Sequence, residues 1–252
     1  MGVIQGSLFS DALGMNISYT AILPEQVEGP YPTIYLLHGY SDDDHAWLYN
    51  TSLVRYASTQ KLAIFMPQVH LSFYANMKYG NQYWDFINEE FPKKMDRIFN
   101  ISDRPEERFV AGLSMGGYGA YKLALNAPEN WRGAASLSGV VDLVSLWKTD
   151  SSNDVRLSHI FGSLEELQES NNDLVYLLEK LAEKHKKPAF FQSCGTEDFL
   201  YENNRGFHHK MENAGLDYTY IEEAGEHNWI FWDNQIQKVL TWIEDLQKNE
   251  WV

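Results

Sequence analysis

The segment 108–126 reads RFVAGLSMGGYGAYKLALN, and at its centre Ser114 is framed by Gly112 and Gly116. A serine hydroxyl becomes a useful nucleophile when the chain holds it on a sharp strand-to-helix turn with a base within reach. Such a turn leaves no room for side chains two residues before and after the serine, which is where the glycines fall. Apolar residues 109–113 suit the incoming strand, and Tyr121, Leu123, Ala124 and Leu125 suit a helix leaving it. Gly117, Gly119 and Ala120 would let that helix lie close on the sheet, and its N-terminus beneath Ser114 would favour developing negative charge. A lone GxSxG is weak, because an ordinary exposed serine in a glycine-rich turn also fits it. The strand and helix on either side give this one its weight. Ser136 and Ser138, in SLSG, also close a strand but lack the preceding glycine, and they read as packing or site-lining residues.

Such a serine needs a general base and a carboxylate to orient it, and on sheets that carry this turn they follow in the order acid, then histidine. Of the eight histidines, His38, His45 and His70 precede Ser114. His208 and His209 are neighbours on an expected helix and should point to different faces. His159 lies in an irregular stretch and His185 at a basic helix end. His227, in AGEHNW, follows an expected strand and precedes the last helix, the position a base requires. For the acid, the expected strand 188–194 runs into CGTEDFL and offers both Glu197 and Asp198, which spacing does not separate. Asp142, after the strand that follows the nucleophile helix, is a third candidate.

These residues need a sheet to hold them. Short β-branched and apolar runs recur at 16–23, 32–38, 62–67, 108–113, 133–138, 188–194 and 217–222, with a less regular one near 4–9 and helical segments between. That alternation predicts an α/β fold, a mainly parallel sheet of about eight strands with helices on both faces. Thr33 to Leu37 carries no charge, leads into the glycine turn at His38-Gly39 and reads as a central strand buried on both faces. Trp84, Ile87, Phe91, Met95 and Ile98 recur at threes and fours, a helical stripe with a kink at Pro92. Ser163 with Glu166 predicts a capping box, Leu174, Leu177, Leu178 and Leu181 a second stripe, and Gly215 the end of a third helix. Trp232, Ile236, Val239, Leu240, Ile243 and Leu246 mark the last. The stretch 139–172 is the least regular and is the natural place for a small cap over the site. The 252 residues, without repeat or linker, suit a single domain spanning 1–252.

Composition narrows the chemistry. Thirty-five acidic against 20 basic residues give a formal charge of −15, and the basic residues form no stripe interleaved with aromatics, which argues against a nucleic-acid partner. The same field disfavours strongly anionic substrates. Residues 1–20 carry neither a basic n-region nor a continuous apolar core, and no run reaches bilayer length, so the expectation is a cytoplasmic protein with no membrane partner. The single cysteine, Cys194, excludes an internal disulfide framework and reads as a small buried hydrophobe. Asp42, Asp43 and Asp44 beside His45 could ligate a hard cation, but a solvated loop that caps the next segment is the plainer reading, and no metal is expected. GxGxxG, P-loop and HExxH signatures are absent from the sequence, and serine hydrolysis needs no cofactor.

Together, GLSMGGYGAYKLAL, YLLHGY, CGTEDFL and AGEHNW resemble the bacterial tributyrin esterase family, within the wider esterase D and S-formylglutathione hydrolase group of α/β-hydrolases. The resemblance runs over almost the whole chain, including KYG before Trp84 and FP inside the following helix. It implies Ser114 as nucleophile, His227 as base and Asp198 rather than Glu197 as acid. The oxyanion would be held by the backbone N–H groups of Met115 and of Tyr40, the residue after the His-Gly pair, which makes His38 structural. A serine carboxylesterase is implied, with a small-molecule ester as its partner; a homo-oligomer is compatible.

Little sequence is left over for a large lid, and Tyr40, Trp84, Met115 and Trp229 are bulky residues near these loops that would shorten an acyl pocket. Trp84 and Trp229 are the pocket candidates, and short acyl chains are expected. The loop after His-Gly reads HGYSDDDHAW, without the cysteine typical of S-formylglutathione hydrolases, which weakens a glutathione-thioester reading. Deacylation of acetylated or feruloylated carbohydrate is a further alternative. An acyltransferase would share the triad, whereas an inactive binding module would usually lack one member, and none is missing.

Overall fold

A computed structural model describes residues 1–149 and 154–251. Eight strands form one sheet in the order β1-β2-β4-β3-β5-β6-β7-β8. β1 (Gly2–Ser10) and β2 (Met15–Leu23) make an antiparallel hairpin, and β2 pairs antiparallel with β4 (Ala63–Pro67). From β4 onward β3 (Thr33–Leu37), β5 (Arg108–Leu113), β6 (Gly133–Leu137), β7 (Ala189–Gly195) and β8 (Tyr218–Glu223) run parallel. The irregular run near 4–9 is the edge strand β1, whose exposed outer positions blur its pattern.

Every residue of β3, β4, β6 and β7 is buried, as continuous apolar runs in a sheet covered on both sides require. Alternate residues feed two cores. Tyr35, Phe65, Val110 and Phe190 pack with the helix Met115–Asn126, and Ile34, Leu36, Ile64, Ala111 and Phe191 with the helix Trp229–Lys248. That last helix buries all six residues of its predicted stripe, each contributing roughly 1.5–3 kcal/mol of transfer energy before the entropy of ordering.

The Trp84 to Ile98 stripe lies on one unbroken helical run whose turns change pitch. A turn at Tyr83–Asp85 widens into a π segment at Phe86–Glu90, where the Phe91 N–H reaches back to the Phe86 carbonyl, and a regular helix follows at Phe91–Ile98. Pro92, at the start of that helix, has no N–H to give and its ring crowds the preceding turn, so the widened turn relieves both problems. Ile98 is exposed. The capping box at Ser163 and Glu166 forms, and Gly215, at φ +64°, follows the helix Tyr201–Asn213.

Between β6 and β7, helices Leu143–Thr149, Asp154–Phe161 and Leu164–Leu167 occupy most of the stretch expected as a cap, of which 150–153 lie outside the described residues. The Lys78 and Tyr79 N–H groups donate to the carbonyls of Ile160 and His159 at 2.7 and 3.0 Å, tying this stretch to the loop after β4. Among the described residues no helix is long and apolar enough to cross a membrane.

Candidate active site

β5 ends at Leu113, and Ser114 takes φ 51°, ψ −118° before the helix begins at Met115. A non-glycine residue there costs on the order of 1–3 kcal/mol and persists only where neighbours hold it. Here the Ser114 N–H donates to the Leu137 carbonyl at 2.9 Å, and the Tyr118 N–H reaches the Ser114 carbonyl at 3.1 Å. The flanking glycines are steric necessities. A Cβ on Gly112 would lie 2.4 Å from the Gly116 backbone, and one on Gly116 would lie 2.4 Å from the Leu37 carbonyl oxygen. Ser136 packs beneath this turn, its Oγ 2.6 Å from where a Cβ on Gly117 would be.

His227, on the loop between β8 and the last helix, places Nε2 3.0 Å from Ser114 Oγ. Its Nδ1 lies 2.8 and 3.0 Å from the two carboxylate oxygens of the buried Asp198, which also accepts the Leu200 N–H at 2.8 Å. An ionised Asp198 can only accept, so Nδ1 carries the hydrogen and the Nε2 lone pair faces the serine hydroxyl. The other acids point elsewhere. Glu197 accepts the Gly225 N–H, a bond that holds its carboxyl below the usual range, and Asp142 accepts the Ser145 N–H at 2.9 Å. The imidazole is packed between Phe199, 4.5 Å between centroids, and the edge contact with Trp232 at 4.9 Å.

Beside the serine, the N–H groups of Tyr40 and Met115 donate to no acceptor among the described residues. A Cβ on Gly39 would stand 3.6 Å from Ser114 Cβ, so the two segments approach closely. His38 shapes this loop: its ring bonds the Gly39 carbonyl through Nδ1 at 2.8 Å and accepts the Val69 N–H on Nε2 at 3.1 Å. Burial pushes its pKa down, in keeping with a neutral ring that donates on one side and accepts on the other. The neighbouring acids are engaged locally, Asp43 with the His45 N–H and the buried Asp44 with the hydroxyls of Ser18 and Thr20. A serine hydroxyl bonded to an imidazole, with unbonded N–H groups on the two adjoining segments, is an arrangement suited to acyl transfer.

A cavity of about 330 Å³ opens at Ser114 and His227, with Tyr40, Asp42, Trp229 and Trp232 among its walls. Trp229, one of the two pocket candidates, lines this cavity. Trp84 does not: its ring covers the Lys122 ammonium at 4.3 Å, on the flank of the nucleophile helix, because its segment packs on the sheet face rather than over the loop end. The Met115 side chain is buried in the core, leaving only its backbone at the site. Sequence reasoning missed Phe199, Trp232 and Asp42. Phe199 directly follows Asp198 in EDFL, a signal that was there to use. A larger cavity, about 610 Å³, opens near Pro32, Arg132 and Trp251 and contains none of these groups.

Residues 10–243 match the model of the esterase family, described as "Putative esterase". The chain is 30% identical over 263 aligned positions to an acetyl esterase of Caldicellulosiruptor saccharolyticus, covering 96% of this chain and 98% of that one. Among solved structures it is similar to the substrate-bound fluorophosphonate-binding serine hydrolase FphF of Staphylococcus aureus, with TM-score 0.89 and 35% identity over 96% of this chain and 98% of that one. It is also similar to the S-formylglutathione hydrolase FrmB apoenzyme of the same organism, with TM-score 0.86 and the same identity and coverage. The mostly parallel sheet with helices on both faces is the α/β-hydrolase fold.

Proposed function

Because the chain belongs to the esterase family, we propose that it is a serine carboxylesterase for small, short-acyl esters that works through Ser114, His227 and Asp198. The observation that carries this reading is the 3.0 Å contact of Ser114 Oγ with His227 Nε2, with Asp198 on the ring's other nitrogen. Ser114 Oγ attacks the ester carbonyl carbon as His227 takes its proton. Negative charge collects on the carbonyl oxygen, where the Tyr40 and Met115 N–H groups donate. Collapse expels the alcohol, protonated by His227, and leaves the acyl group on Ser114. Water then attacks that acyl carbon and gives a proton to His227, and the second collapse frees the carboxylic acid and restores the serine. Asp198 stays ionised throughout, orienting the ring and stabilising the imidazolium.

The modest cavity supports short acyl groups. Each methylene that fits adds roughly 0.8 kcal/mol, and one that meets Tyr40 or Trp229 adds strain instead. The acetyl esterase relative agrees with this preference. The described part of 139–172 serves as the cap: the Arg156 guanidinium lies over the Tyr40 ring at 5.6 Å, and Phe161 meets Phe73 at 6.1 Å. The Asp42 carboxyl in the cavity wall opposes the carboxylates of a glutathione thioester. Values of kcat/KM for nitrophenyl esters of two to sixteen carbons, beside S-formylglutathione and with Ser114→Ala as control, test the reading. A maximum within acetyl to butyryl supports it. A maximum at eight carbons or longer, or a preference for the thioester, overturns it.

A further inference from the structure

Away from this site, the helix Tyr201–Asn213 brings His208, His209 and Glu212 together. Glu212 Oε2 lies 3.4 Å from His208 Nε2 and 3.5 Å from His209 Nδ1, and one ligand atom from each residue lies within 4.8 Å of the others. The sequence pattern sets the two histidines on different faces. Their step of about 100° is spanned by the reach of the imidazoles. The ring centroids are 5.4 Å apart, and Glu212, one turn on, meets both. These separations suit a metal, since bonds of about 2.0–2.1 Å at tetrahedral angles put ligand atoms roughly 3.3–3.5 Å apart.

The tautomer of His208 is dictated from the interior. Asn204 is buried, and its Nδ2 donates to the carbonyls of Gly139 and Leu200, groups that can only accept, so its Oδ1 faces Gln192. Gln192 Nε2 donates to that oxygen at 3.1 Å and to the Asn204 carbonyl at 3.0 Å, which leaves its own Oε1 as acceptor. The Tyr218 hydroxyl donates to Oε1 at 3.0 Å, so its oxygen accepts from His208 Nδ1 at 3.1 Å. His208 therefore carries its hydrogen on Nδ1 and keeps the Nε2 lone pair toward His209 and Glu212. The ring is also stacked on Tyr220 at 3.9 Å and 12°. A histidine with its second nitrogen bonded and its plane fixed has the arrangement of a metal ligand.

We propose that His208 Nε2, His209 Nδ1 and the Glu212 carboxylate form a binding site for a divalent transition-metal ion of the zinc type, with water completing the shell. Two imidazoles and one carboxylate favour zinc, nickel or copper over magnesium or calcium. A bound ion would tie this helix to β8 through Tyr218.

Calorimetric titration of the tag-free protein with zinc chloride near neutral pH tests the site, with circular dichroism to verify folding of each variant. One saturable equivalent is expected at micromolar zinc. His209→Ala and Glu212→Gln, both exposed positions, should weaken it about tenfold or more. Tyr218→Phe, which touches no metal, should also weaken it about tenfold because the tautomer is no longer held. No saturable binding below millimolar zinc would overturn the proposal, as would binding that His209→Ala or Tyr218→Phe leaves unchanged.

Discussion

The ammonium of Lys122, fully buried in the middle of the nucleophile helix, donates to the main-chain carbonyl of Tyr74 at 2.7 Å. Burial pushes its pKa well below the usual lysine value, with no carboxylate among the described residues offsetting it. Tyr74 adopts φ 52° after Phe73 at φ 50°, and its hydroxyl donates to the His38 carbonyl at 2.8 Å. Its ring fills the space beside Gly119, where a Cβ would come within 2.5 Å. Tyr74 thus links the helix that follows Ser114 to the loop that presents the Tyr40 N–H.

If this link positions the oxyanion donors, Tyr74→Phe should lower kcat about three- to tenfold with little change in KM and cost roughly 1–2 kcal/mol of stability, since the His38 carbonyl loses its donor. Lys122→Met leaves the Tyr74 carbonyl without its donor but also removes a buried amine that is costly to keep from water, so the two effects offset and stability should change little while kcat falls similarly. Steady-state kinetics with urea unfolding separates the two effects. Wild-type kcat in both variants would make the link purely structural.

Asp198→Asn should reduce kcat by roughly 10³–10⁴, because the amide favours the wrong tautomer of His227. Glu197→Gln and Asp142→Asn should stay within about threefold, since each carboxylate serves a backbone N–H instead. A crippling Glu197→Gln beside a nearly silent Asp198→Asn would move the acid to the neighbouring residue.

What the chain showed in advance and what it hid have physical reasons. β3 to β7 are legible because a strand buried on both faces is mostly apolar at consecutive positions, and the last helix because its stripe faces one core. Glu197 and Asp198 are inseparable by spacing because adjacent residues on a turn point in different directions, and only the surrounding loops decide which faces inward. Trp84 is misplaced because a helical period identifies an apolar stripe without saying which surface it meets. Lys122 stands in an apolar run where a lysine reads as solvent-facing. Its burial depends on a carbonyl exposed by the left-handed turn at Phe73 and Tyr74, which nothing in LSFYAN signals.

Gly116→Ala probes the turn itself. The added methyl would lie 2.4 and 2.7 Å from the carbonyl oxygens of Leu37 and His38, backbone atoms that cannot swing aside. The helix start must therefore shift from the end of β3, at a cost of roughly 1–3 kcal/mol. Labelling of Ser114 by a fluorophosphonate should slow at least tenfold in a variant that still unfolds cooperatively. Labelling at the wild-type rate would show that the turn tolerates the methyl.

The last prediction concerns acid. Glu90, in the π segment, accepts the Ser10 hydroxyl at 2.5 Å and the Asp11 and Ala12 N–H groups at 2.8 and 3.2 Å, and pairs with Lys94 at 2.8 Å. It thereby anchors the β1–β2 turn. Burial alone would raise its pKa, but Lys94, the Ser10 hydroxyl and the two amides outweigh it and bring the value to about 2. A carboxyl with a folded pKa below its unfolded value, which is roughly 4.3, stabilises the protein fully above that unfolded value and loses the contribution as pH falls toward the folded one. Glu90→Gln keeps the size but not the charge. The stability gap between wild type and variant should therefore be about 1–3 kcal/mol near neutral pH and narrow between roughly pH 4.5 and 2. Urea unfolding of both proteins across that range measures the gap, and one that stays constant from about pH 6 to pH 3 would show that Glu90 acts through shape rather than charge.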